Sequence, residues 1–322
     1  MSQVEHTMTG LTIVGAHKGT VWPLFLTASA DGRPILVSAG PSGLQVRRWD
    51  PLTGKMLCDY PGSDCGVEDL TVACPADGTP LLVAGTEDGI VRWNADTGDK
   101  LPGAPLEHYN SIWNVDTGTL ADGRPLLVGA GNDGNVFRWD PVTGEPLGPP
   151  LEGHEITVKA VTLVPLPDGT HLIASGDDYG EVRRWDAVTG ALVGEPLAAE
   201  EIVRQLHSLR LLDGTVLLAA TDSHGMLYRW DALTGTPLGR PVHTDVITPQ
   251  LTSAYVQGVP RLLASGDDEI IRQWDAATGE PIDELLSGVV VSALSRPDGT
   301  ALVATGGYDG SITVQTLGSA GG

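Results

Sequence analysis

Short apolar runs alternate with polar turns along the whole chain, and no stretch sustains a helical period. Apolar runs this short, bounded by Gly, Pro and Asp, are the pattern of strands. Pro125-Leu126-Leu127-Val128 and Val216-Leu217-Leu218-Ala219 are apolar at successive positions. Strands of that kind bury both faces. Asp-Gly punctuates the runs at Asp31-Gly32, Asp77-Gly78, Asp122-Gly123, Asp168-Gly169, Asp213-Gly214 and Asp298-Gly299, with Gln257-Gly258 as a departure. Asp-Gly between apolar runs marks a hairpin, because both residues tolerate positive φ.

The hairpins belong to a repeat of about 45 residues. Trp-Asp or Trp-Asn falls at Trp49-Asp50, Trp93-Asn94, Trp139-Asp140, Trp185-Asp186, Trp230-Asp231 and Trp274-Asp275, and a degenerate copy ends at Gln315-Thr316. Thr-Gly follows each Trp in the same phase, as in Thr189-Gly190. In the fourth copy four strands are predicted over 158–166, 172–175, 181–186 and 191–197; we name them a to d. Strand d carries Pro105, Pro146, Pro196, Pro237 and Pro281 in successive copies. Proline cannot donate to a ladder, so d is an outer edge protected against aggregation.

Four-stranded sheets with two apolar faces and one free edge pack radially. The predicted fold is all-β: a single seven-bladed β-propeller over 1–322, with four antiparallel strands per blade. The blades span approximately 17–61, 62–106, 107–151, 152–197, 198–241, 242–285 and 286–317 plus 9–15. The last copy lacks a d strand. Segment 1–16 is expected to supply it and so close the ring.

The phased motifs resemble the WD-repeat (tryptophan–aspartate repeat) β-propeller family, bacterial type, over essentially the whole chain. The fourth copy carries the family unit as Gly153-His154, Asp168-Gly169, Ser175-Gly176, Asp178 and Trp185-Asp186. The resemblance implies hydrogen-bonded structural tetrads of His154, Ser175, Asp178 and Trp185, and of His243, Ser265, Asp268 and Trp274. The third copy keeps His108, Asp133 and Trp139, and the first keeps His17, Ser38 and Trp49. In one respect the chain departs from the family. Arg48, Arg92, Arg138, Arg184 and Arg229 precede the tryptophans, where the family has an aliphatic residue. They read as inter-blade arginine–carboxylate pairs with their stems on Trp, or as a ring for anions.

Composition narrows the partners. Lys+Arg total 19 against 41 Asp+Glu, a net charge of −22. Such a surface repels phosphate backbones and anionic lipid, so neither nucleic acid nor membrane is expected. No apolar run is long enough to span a bilayer. The polar start over 1–10 has no signal-peptide pattern, and a cytoplasmic location is expected. Cys58, Cys65 and Cys74 read as packed or idle thiols, with a Cys58–Cys65 bridge as the alternative.

Little catalytic chemistry is legible. Gly129-Ala130-Gly131-Asn132-Asp133-Gly134 matches a phosphate-loop pattern but lies between two strands, where no helix N-terminus can meet a phosphate. Asp177-Asp178, Asp267-Asp268 and Glu87-Asp88 lack calcium-loop spacing. His17, His108, His154 and His243 share a slot in different blades and do not converge on a metal. No cofactor or metal is implied.

The informative slot is the start of strand a, which lines the channel mouth. Aligning the copies gives Trp22, Glu68, Trp113, Lys159, Arg204, Thr248 and Val291 there, beside a β-branched row from Val21 to Val290. Tyr109 lies just outside it. Trp22, Glu68 and Trp113 are expected to form an aromatic, acidic half-cage for a cation, with Lys159 and Arg204 opposite to take an acidic group. The alternative is that the tryptophans plug the channel. The function expected is a non-catalytic scaffold or regulatory module, monomeric alone, that binds a protein or peptide on the face of the d–a and b–c loops. One alternative is an enzyme or small-ligand binder at the mouth, using Glu68, Lys159 and His108. The other is an interaction domain of a larger protein.

Overall fold

The computed structural model describes residues 3–7, 10–29, 31–40, 45–61, 66–75, 78–102, 111–244 and 250–318. They form seven antiparallel sheets and no helix. The inner a strands are Leu24–Ala28, Val67–Ala73, Ile112–Thr119, Val158–Pro165, Val203–Arg210, Leu251–Val256 and Val290–Ser295. Each packs on the next, and the seventh returns to the first, so the sheets are the blades of a closed β-propeller.

Continuous apolarity follows from this arrangement. In the fourth blade's second strand, His171–Asp177, the side chains of Leu172 and Ala174 join a core with Leu206, Leu218 and Trp230 of the fifth blade. Ile173 points the other way, into a core with Leu126 and Val128 of the third. Period-two alternation therefore feeds two interfaces at once, and both sets must be apolar.

The ring closes as expected. Gly10–Val14 pairs antiparallel with Ile312–Leu317, matching Leu11 to Val314, Thr12 to Thr313 and Ile13 to Ile312. The backbone of His17 and Val21 then donates to Gly310 and Gly307 of the last blade. One strand was not foreseen: Gln3–Thr7 pairs outside Gly10–Val14, so the last sheet has five strands.

The outer strands are continuous in the first and sixth blades, Met56–Tyr60 and Pro281–Ser287, and shorter than predicted in others. In the fourth blade, 191–197 reduces to a bridge between Trp185 and Leu192 followed by Leu197–Ala198. Gly194 (φ 68°) and Pro196 cause the break. One takes a left-handed turn and the other cannot donate. Among the described residues the second and third blades show three continuous strands, with their fourth edges reduced to bridges such as Trp93–Lys100 and Val136–Leu151.

The arginine row holds the blades together, but not through carboxylates as expected. Arg184 donates from Nη1 to the carbonyls of Ala232 and Leu233 in the next blade, both at 3.0 Å. Arg92 does the same to Pro141 and Val142, Arg138 to Ala187 and Val188, and Arg229 to Ala276 and Ala277. In this row only Arg48 adds a carboxylate, that of Asp96, among the described residues. The acceptors are orphan carbonyls of the c–d turns, which a rigid guanidinium fork satisfies in pairs. The Thr-Gly glycine makes room for the guanidinium in four of these turns, at Gly144, Gly190, Gly235 and Gly279. A Cβ on Gly235 (φ 77°) would lie 2.8 Å from the Arg184 guanidinium.

The tetrad residues need correction. In the fourth blade the indole N–H of Trp185 donates to Ser175 Oγ at 2.9 Å. Ser175 Oγ lies 2.7 Å from His154 Nε2. His154 Nδ1 meets a carboxylate at 2.8 Å, but that carboxylate belongs to Asp177, not Asp178. Period two explains it: Asp177 shares a strand face with Ser175, whereas Asp178 is already in the turn. Burial alone would raise the Asp177 pKa. The His154 hydrogen bond and the N–H groups of Glu181 and Tyr179 outweigh it and hold the group below its usual range.

The second tetrad does not form. Trp274 faces Leu262, so Ala264, not Ser265, holds the serine slot. Ser265 Oγ accepts from the Gln250 N–H instead. Buried Thr244, not exposed His243, takes the histidine slot, and Asp268 pairs with Arg272. In the fifth blade Tyr228 replaces histidine, donating at 2.9 Å to the buried Asp222 carboxylate. Cys58 and Cys74 are unpaired; Cys65 lies outside the described residues.

Candidate functional site at the channel mouth

The antiparallel order sets polarity. Each a strand starts on the face that carries the b–c turns, and there the ladder is irregular. The a–b pairing skips one residue in four successive blades: Glu68, Trp113, Lys159 and Arg204. Each is the extra residue of a β-bulge. A bulge leaves its residue unpaired and re-aims its side chain. This is why the slot varies in chemistry while Val67, Ile112, Val158 and Val203 on its flank are buried. The seventh blade has no bulge. Val291 stays in register with Thr305 and is fully buried, so it does not belong to the mouth.

The bulges open onto one cavity of about 370 Å³. Trp22, Glu68, Trp113, Lys159 and Arg204 all line it, with Pro23, Asp69 and Gln250 among the rest of the wall. Tyr109, Thr248 and His108 lie outside the described residues. Trp22 is half-buried and packs on the core between the seventh and first blades, so it is both wall and anchor.

The charges are not arranged as the half-cage required. The Lys159 ammonium lies 3.8 Å from the centroid of the Trp113 ring. It is stacked on that indole, not opposite it. The Trp113 N–H is held by Asn132 Oδ1, which fixes the ring. Burial raises the Glu68 pKa and the nearby Glu87 adds to this, while Lys159 pulls it back. A cation of the protein itself therefore covers the face of Trp113 and lies within the field of Glu68. Arg204 is exposed and has no hydrogen bond or ion pair among the described residues.

Beneath the mouth lies a polar network that sequence reasoning missed. Asp69 accepts from the backbone N–H of Val115 at 3.0 Å and from the Asn114 amide. Asn114 in turn accepts the Val161 N–H at 2.7 Å. Asp116 accepts from Leu163 N–H at 2.8 Å and from Thr162. Carboxylates thus tie the inner strands of the second, third and fourth blades. Burial drives the Asp69 pKa up to about 7 against its donors, the N–H groups of Val115 and Leu70 and the Asn114 amide, and raises that of Asp116. On the far side Gln250 bridges Leu24 and Val291. The available signal was polar residues inside strands otherwise apolar, in Val67-Glu68-Asp69-Leu70 and Trp113-Asn114-Val115-Asp116.

Among the described residues no group of three or more His, Cys, Asp or Glu is placed to hold a metal ion. Among the described residues no helix is long and apolar enough to cross a membrane. No protein-family model matches the chain, and no curated protein matches it. Among solved structures 1616 chains match. One is the crystal structure of the computationally designed Ika8 protein, with a TM-score of 0.61 and 22% identity, covering 94% of this chain and 97% of that one. The likeness is one of fold.

Proposed function

We propose that the protein is a non-catalytic docking module of WD-repeat type, bacterial and cytoplasmic, which binds a partner protein or peptide at the channel mouth. The observation that carries this reading is the row of bulges. Four successive blades each break their ladder at one position and turn the extra residue toward a shared cavity of about 370 Å³. Bulges are over-represented at rims and next to functional sites, where they re-aim a side chain. The cavity combines two tryptophans with a few fixed charges, the composition of interaction hot spots. It stands on inner strands cross-tied by Asp69, Asn114 and Asp116, so binding orders little new backbone.

The reading is tested by affinity capture from the source cells. Wild-type protein is compared with a Trp113→Ala/Arg204→Glu double variant of unchanged melting temperature. One dominant partner is expected with the wild type and none with the variant. Identical capture by both would overturn the mouth as the docking site.

A further inference from the structure

We infer that the mouth takes an acidic peptide segment, one that presents a carboxylate beside an apolar side chain. The inference rests on the docking reading above and deepens it by assigning the ligand's charge.

The aromatic–acidic side of the mouth is already satisfied. Lys159 covers one face of Trp113 at 3.8 Å and offsets Glu68. An incoming cation would have to displace an ammonium tethered in place, which acts at a far higher effective concentration than a free ligand. The amides on the wall are also engaged. Gln250 donates to Leu24 and accepts from Val291, and Asn114 bridges Asp69 and Val161. Asp69 is covered by N–H donors.

Arg204 is the arginine of the cavity wall; Arg210, Arg240 and Arg296 also lack a side-chain partner among the described residues, but none of them lines the cavity. Of the other arginines, Arg33, Arg124, Arg183, Arg261 and Arg272 each sit on a carboxylate. The inter-blade row is committed to turn carbonyls. Arg204 lines the cavity, exposed, with no partner among the described residues. A bulge holds it out of the ladder. A free guanidinium fork in one cavity with two indoles and Pro23 matches a peptide that carries a carboxylate and an apolar side chain. The net charge of −22 does not decide against this. Charges beyond about 8 Å are screened at physiological salt, so the groups in contact set the preference.

The experiment is selection of a displayed library of random heptapeptides on the immobilised full-length chain, followed by calorimetry on synthetic peptides. Recovered peptides are expected to carry Asp or Glu next to Leu, Ile, Phe or Trp. Arg204→Glu is expected to weaken them about tenfold, as is Glu→Gln in the peptide, and a Glu→Lys peptide should recover binding to Arg204→Glu. Because Arg204 is exposed, the variant's melting temperature should not move, which separates lost binding from lost fold. Basic or uncharged peptides that lose binding in Trp113→Ala would overturn the acidic assignment and leave the docking site standing. Peptides indifferent to both variants, or no recovered peptide at all, would overturn both.

Discussion

At the scale of single residues, position within a strand decides what a side chain can do. Asp177 and Asp178 are adjacent, yet only Asp177 reaches His154, because it ends a strand on the face shared with Ser175. Ser175→Ala removes the common partner of the Trp185 indole and His154, both buried. It is expected to cost about 2 kcal/mol, as a lower thermal midpoint, while Asp178→Ala stays within about 0.5 kcal/mol. Two titratable groups give opposite pH signatures. His17 is held near 4, chiefly by burial, so its protonation is resisted in the folded state. Its contribution is full above pH 6.5 and is lost as pH falls toward 4. Asp69 is raised to about 7, so ionisation is resisted, and its contribution falls as pH rises from 3.8 toward 7. Melting temperature followed from pH 4 to pH 7 should therefore rise more steeply in Asp69→Asn than in wild type. It should rise less steeply in His17→Gln. Parallel curves would refute the assignment.

At the scale of elements, the unit is the joint between two blades. An arginine before the tryptophan of one blade and a glycine in the c–d turn of the next form a single device. Arg184 needs the absence of a side chain at Gly235, since a Cβ there would also meet Leu197 at 2.8 Å. Arg184→Leu is expected to cost about 2 kcal/mol, because two turn carbonyls lose a charged donor. Gly235→Ala should cost at least as much, from the clash and from its positive φ. The double variant should fall short of the sum, since leucine removes the guanidinium that alanine would strike. Denaturant titration of the four proteins measures that coupling. Strict additivity would show that the two residues do not share one device.

At the scale of the whole molecule, the joints are unequal. Gln273 and Val314 stand where the other blades have arginine. Gln273 turns back onto its own blade, donating to Glu284. Without a guanidinium, the last two joints rely on apolar packing, on neutral hydrogen bonds such as those of Gln250, Gln257, Ser292 and Ser295, and on the closing strand Gly10–Val14. Local opening draws on the least tied region. Hydrogen exchange is expected to be faster in Ala301–Gly306 than in the equivalent strand His171–Asp177, although both are buried. Uniform protection around the ring would contradict this.

Much of this was legible in the chain because a repeat reports the same constraint many times. The Trp-Asp, Thr-Gly and Asp-Gly phases, the doubly apolar strands and the orphan strand at the start require blades, a ring and its closure. The same averaging hid what differs between copies. A one-residue slip decides whether Ser265 or Ala264 faces Trp274, and motif matching does not resolve a period of two. Acceptors on the next blade, such as the Ala232 and Leu233 carbonyls, are contacts across the ring that no local pattern encodes. The mouth shows the division most clearly. Aligning the copies brought Trp22, Glu68, Trp113, Lys159 and Arg204 into one slot. Folding brought Lys159 onto Trp113 and left Arg204 unpaired among the described residues, because side-chain reach between neighbouring blades is set by bulges and ring geometry rather than by order along the chain.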